Sequence, residues 1–121
     1  MMQTTGITWR LTVSAKGAPD TDETRAYLED HFDEVMEKLV ELEECNPNVH
    51  DPSLAANLET FPKVQIEVEL LVDGVGPAAL ETGESVLRTA IHAAGGFTKD
   101  WDGRTASGTF YEELSVELER A

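Results

Sequence analysis

Few residues in this 121-residue chain combine a reactive type with a spacing that chemistry could use. His50-Asp51 is an adjacent imidazole–carboxylate pair inside a proline-bounded stretch, residues 46–52. Such a pair suits general acid–base work when a cleft surrounds it. His31 follows Asp30 on a helical stretch and reads as a solvated histidine on the side opposite the apolar stripe. His92 follows Ile91 near the end of a second helical stretch, where a cationic ring would suit the negative helix end. Protein metal sites need three or four converging ligands. The chain has no HExxH and no His-x-His, so no metal site is expected.

Nucleophiles are no better supported. Cys45 falls at a helix C-terminus beside Glu43 and Glu44, where a thiolate is disfavoured, so it reads as an inert thiol. There is no G-x-S-x-G elbow. Gly74-Val75-Gly76-Pro77 stands ahead of a helix as a phosphate loop would, but Pro77 removes an amide donor and no lysine follows. It reads as a turn and helix start. The richest non-periodic stretch is residues 95–105, with Phe97, Lys99, Asp100, Trp101, Asp102 and Arg104. Loops on a rigid scaffold tend to carry function, and tryptophan is a common interface anchor. The competing reading has Trp101 folding back to cap the core. No catalytic residue is assigned; the binding candidates are Trp101, Arg104, His50 and Asp51.

Composition narrows the partners. With 24 acidic and 9 basic residues the formal charge is −15. That charge repels phosphate backbones and anionic membrane surfaces, so neither nucleic acid nor membrane is expected as a partner. Cys45 is the single cysteine, which excludes an intramolecular disulfide and a cysteine metal cluster. No run of 18 apolar residues and no basic-then-apolar leader is present, and the expected location is cytoplasmic. The length suits one domain, 1–121, with residues 1–5 a loose terminus.

The elements that must position these residues are more legible. In residues 63–72, Val64, Ile66, Val68, Leu70 and Val72 alternate with Gln65, Glu67 and Glu69, a strand buried on one face and wet on the other. In residues 7–16, Ile7, Trp9, Leu11 and Val13 alternate with Thr8, Arg10 and Thr12 in the same way. Asp20 or Thr21 opens a helix, with Glu23 spaced from Asp20 as in a capping box. Leu28, Phe32, Val35, Met36, Leu39 and Leu42 form its apolar stripe, its other faces are strongly acidic, and Asn46-Pro47 ends it. Residues 53–59 form a weaker, edge-type strand and a hairpin into 63–72. Leu80, Gly83, Leu87, Ala90, Ile91 and Ala94 make the stripe of the second helix, which Gly95-Gly96 stops. Gly83 costs a helix about 1 kcal/mol against alanine, which close approach to the sheet would offset. Residues 97–108 read as loop, and 109–120 as a last strand.

The order strand, helix, strand, strand, helix, strand, with right-handed crossovers, specifies an α+β fold. It is the ferredoxin-like βαββαβ plait, a four-stranded antiparallel sheet with two helices on one face. The far face would then carry Arg10 and Lys16 among Glu67, Glu69, Glu117 and Glu119, matched in charge rather than apolar.

With that order and residues 87–96 (LRTAIHAAGG) and Trp101 in view, the chain resembles small, acidic, uncharacterised bacterial proteins of ferredoxin-like fold. The resemblance implies the fold of nearly the whole chain and no catalytic residues. It implies no iron–sulfur cluster either, since the true ferredoxins hold theirs through several cysteines. No cofactor is expected. The leading expectation is a non-enzymatic, self-associating binding or interaction module, a homodimer. The alternatives are an acidic protein that captures a basic partner through the first helix, and a small enzyme with a site near His50, Asp51 or Trp101.

Overall fold

Five β-strands and two α-helices follow one another in the structure, a computed structural model that describes residues 3–16, 19–98 and 108–120. They are β1 (Thr4–Lys16), α1 (Asp22–Cys45), β2 (Val49–Asn57), β3 (Val64–Asp73), α2 (Gly76–Ala93), β4 (Gly96–Thr98) and β5 (Gly108–Arg120). The sheet order is β2-β3-β1-β5-β4. β1 and β3 are the central pair, antiparallel from Thr4 opposite Asp73 to Val13 opposite Val64. β5 flanks β1 and β2 flanks β3, both antiparallel. These four strands and the two helices form the ferredoxin-like plait.

The alternation in β1 and β3 becomes burial. Ile7, Trp9, Leu11 and Val13, with Val64, Ile66, Val68, Leu70 and Val72, point into one core with Leu28, Phe32, Val35 and Leu39 of α1 and Ala90 and Ile91 of α2. Each such aliphatic side chain contributes roughly 1.5–3 kcal/mol by leaving water. Gly83 lets α2 lie close on the sheet. A Cβ there would stand 2.9 Å from Ile7 Cδ1 and 3.0 Å from Trp9 Cη2.

Outside β2, the structure departs from expectation in four places. First, β1 starts at Thr4, inside the stretch expected to be loose. Thr5 is buried and donates its hydroxyl to the Gly74 carbonyl at 2.7 Å, and the Gly74 amide donates to Gln3 O at 2.6 Å. The turn after β3 thus pins the start of β1. Second, of the two expected caps of α1 it is Thr21 that serves, its hydroxyl accepting from the Thr24 amide, and only the Asp20–Glu23 capping box is not the one used. Third, His31 is buried rather than solvated, at 3 % exposure. It lies three residues after Leu28 and four before Val35, which places it on the apolar face of a 3.6-residue helix. Fourth, residues 96–98, read as part of a loop, form a short fifth strand running parallel to β5. Gly95, at φ +88°, turns the chain out of α2 toward that sheet edge. No helix among the described residues is long and apolar enough to cross a membrane.

Candidate functional site

The helices cover one face of the sheet, and chemistry collects on the other. Arg10 projects from the middle of this open face. Its Nη1 donates to Glu117 Oε1 at 3.1 Å and its Nε lies 3.7 Å from Glu67 Oε2. Register explains the clamp: Glu67 is directly across from Arg10 on β3, and Glu117 of β5, opposite Thr8, is one pleat away on the diagonal. Both partners are well exposed, so each ion pair contributes less than about 1 kcal/mol and orders the face more than it stabilises the fold.

Toward one end of the same face the surface dips. Gly6 lies between Leu71 on β3 and Glu119 on β5 and brings no side chain, which leaves a concavity of about 320 Å3. Gly6 and Leu71 are among the residues that line it, with Thr8 and the carboxylate residues Asp51, Glu69 and Glu119. A partly apolar surface ringed by carboxylates suits an aliphatic chain ending in a cation. A second hollow, of about 530 Å3, lies on the outer side of α2 at Arg88, Thr89, His92 and Ala93, where Arg88 also donates to Glu84 at 3.0 Å.

The two described candidates lie beside the first concavity, arranged differently from the reading of the sequence. His50 and Asp51 are not in a loop: β2 already runs from Val49, and both belong to it at a bulge between His50 and Ser53. Nor do they form a pair. The bulge throws Asp51 into the left-handed region, φ +51°, which aspartate tolerates better than most residues. His50 Nε2 meets Asp73 Oδ1 across the strand pair at 3.2 Å instead. The Asp73 side chain is 13 % exposed against 43 % for His50, so a mostly buried carboxylate orients a reachable imidazole. That is the geometry of a general base and its orienting acid, but among the described hydrogen bonds no hydroxyl or thiol comes to the ring.

Glu43 completes the corner. As a charge near a helix C-terminus it is unfavourable, yet its Oε2 accepts the Asp51 backbone amide at 2.7 Å. The bulge frees that amide from the ladder, and Glu43 satisfies it. Trp101 and Arg104 lie outside the described residues. Cys45 is exposed and free. Among the described residues no group of three or more His, Cys, Asp or Glu side chains could hold a metal ion.

Gly6, Leu71 and Asp73 escaped the reading of the sequence. Asp73 falls just past the strand expected over residues 63–72, and only the hydrogen bond across the strand pair reveals that it faces His50. Gly6 in a strand is a usable signal, since glycine there often marks a gap or a close approach. No protein-family model, curated protein or solved structure matches the chain.

Proposed function

We propose that the protein is a non-enzymatic binding module that self-associates as a dimer across the open sheet face. One observation carries this reading. Arg10 is clamped and half-exposed at the centre of that face, while Glu69 and Glu119 on the same face meet no cation among the described residues. A two-fold axis over the face brings the Arg10 of one protomer toward those carboxylates of the other, and isologous contacts of this kind are the commonest route to small oligomers. Arginine is also enriched at interfaces. The sheet edges are poorer candidates. Pro52 and the bulge blunt β2, and β4 covers part of β5.

Sedimentation velocity at tens of micromolar tests the proposal. A dimer that Arg10→Glu converts to monomer supports it, and a monodisperse monomer of the unaltered chain overturns it. Added salt should tighten the dimer at first, because the two faces carry a surplus of like charge that ions screen.

The outer side of α1 supports a second reading, capture of a basic protein. Glu29, Asp33 and Glu37 are exposed, and the last turn holds no base. Reversing those three charges should abolish recovery of a basic partner in a pull-down; recovery of the same partner by the reversed protein argues against it.

A further inference from the structure

Among the described residues, His31 is the one titratable side chain in the buried class. Its ring stacks against Tyr27, with centroids 6.4 Å apart and planes 21° apart, and meets the edge of Phe32 at 6.0 Å. Across the helix interface it hydrogen-bonds the backbone of Ala94, the C-cap of α2. That bond favours the protonated ring, so a ring N–H donates and the Ala94 carbonyl accepts. Burial acts the other way and dominates, holding the ring's pKa below its ordinary 6.5; Glu34 on α1 favours the cation more weakly. Tyr27 presents its ring. On α2, Ala94 bonds the ring, and the titratable side chains nearest it along the helix, Arg88 and His92, are largely exposed.

The two sides of this contact differ in their freedom to move. His31 lies in the interior of a 24-residue helix, which holds its backbone in place. Ala94 ends its helix and is followed by Gly95 at φ +88° and then by β4, three residues long and, among the described residues, paired in the sheet with β5 on one side only. A charge created on the ring is therefore hydrated most readily by moving the α2 end.

We propose that His31 is an acid-sensitive latch: its neutral ring holds the α2 C-cap in place, and protonation releases the last turn of α2 together with β4. Release uncovers the edge of β5 at Thr109, Phe110 and Tyr111, the residues β4 pairs with, and gives a second strand somewhere to add.

The sign follows from proton linkage. The released ring titrates near 6.5 and the latched ring lower, so the latch is closed above pH 6.5. It weakens as the pH falls below 6.5 and levels off once the latched ring is itself protonated. Native-state hydrogen exchange at the amides of residues 94–98 reads this directly. After correction for intrinsic exchange, their protection should fall about tenfold for each pH unit below 6.5, while the amides of β3 hold theirs. His31→Gln, which keeps a donor but cannot titrate, should show no such fall. An equal fall in His31→Gln overturns the latch, as does a fall shared with β3, which is global unfolding. Should His31→Gln not fold, an NMR titration of the unaltered protein decides: amides of residues 94–98 whose shifts follow the titration of the ring support the latch, and amides that stay unmoved through it overturn it.

Discussion

The two faces of the central strands are written in the same residues, one position apart, and follow different rules. Toward the helices, β1 and β3 present Ile7, Trp9, Leu11, Val64, Val68 and Leu70, all buried. Toward the outside they present Gly6, Thr8, Arg10, Glu67, Glu69 and Leu71. The covered face is redundant, since any of several apolar residues of similar volume would keep the chain on the same side. The open face is not. Its Arg10 clamp, its concavity and its His50–Asp73 contact each need particular residues in a particular register. A one-residue slip would exchange the faces, so burial on one side enforces the geometry on the other. The core is thus also the device that aligns the candidate site.

The largest effects of substitution fall on the covered side. Trp9 is 1 % exposed, and Trp9→Ala should cost about 3–5 kcal/mol in urea denaturation, enough to unfold a marginal domain. Gly83→Val should follow at about 1–3 kcal/mol. Its added atoms meet the Ile7 and Trp9 side chains at 2.9 and 3.0 Å, and overpacking there outweighs the glycine's unfavourable helix propensity. A Gly83→Val protein as stable as the parent would mean that α2 can lift from the sheet freely, and that the covered face is less tightly specified than its packing implies.

What could be read in advance divides along the same line. Period-two alternation identified the buried sides of β1 and β3, and 3.6-residue spacing identified the stripes of α1 and α2, because burial writes a repeating pattern into sequence. His31 shows the limit of reading by residue type: its spacing from Leu28 and Val35 places it in the core, but a polar residue beside Asp30 looks solvated. On the open face the charges and the strands that carry them were legible, but not which of them pair. That Arg10 meets Glu67 and Glu117 depends on the pairing of three strands distant in the chain. That His50 meets Asp73 rather than its neighbour Asp51 depends on a bulge, and bulges leave no periodic trace. β4 is too short at three residues for any alternation to show.

On the open side, Arg10→Ala provides the direct contrast with its neighbour Trp9. Both lie in the centre of the same strand, yet at protein concentrations too low for dimers the arginine's loss should change stability by less than about 1 kcal/mol, its two ion pairs then being solvated. The effect should shrink further in high salt. A loss as large as that of Trp9→Ala at concentrations where the protein dimerises would show that a partner covers the face, because removing a desolvated arginine strands buried carboxylates. Chemical denaturation at two salt concentrations therefore reports on whether this face is open as well as on stability.

Gly6→Ala should have the smallest effect and the opposite sign. Gly6 has no positive φ, and a Cβ there would stand 3.5 Å from both Glu119 O and Leu71 Cδ2, an ordinary contact distance. Alanine also restricts the unfolded chain more than glycine does, so stability should rise by about 0.5 kcal/mol. The added methyl nevertheless sits among the residues that line the concavity, directly between Leu71 and Glu119. On the covered face every substitution that alters shape should cost stability. Here a change of shape should leave folding intact and weaken only what docks. If Gly6→Ala proves more stable and loosens the dimer in sedimentation, the two faces separate cleanly into one that folds the chain and one that meets a partner. If it is more stable and the dimer is unaffected, the contact lies elsewhere on the face, closer to Arg10.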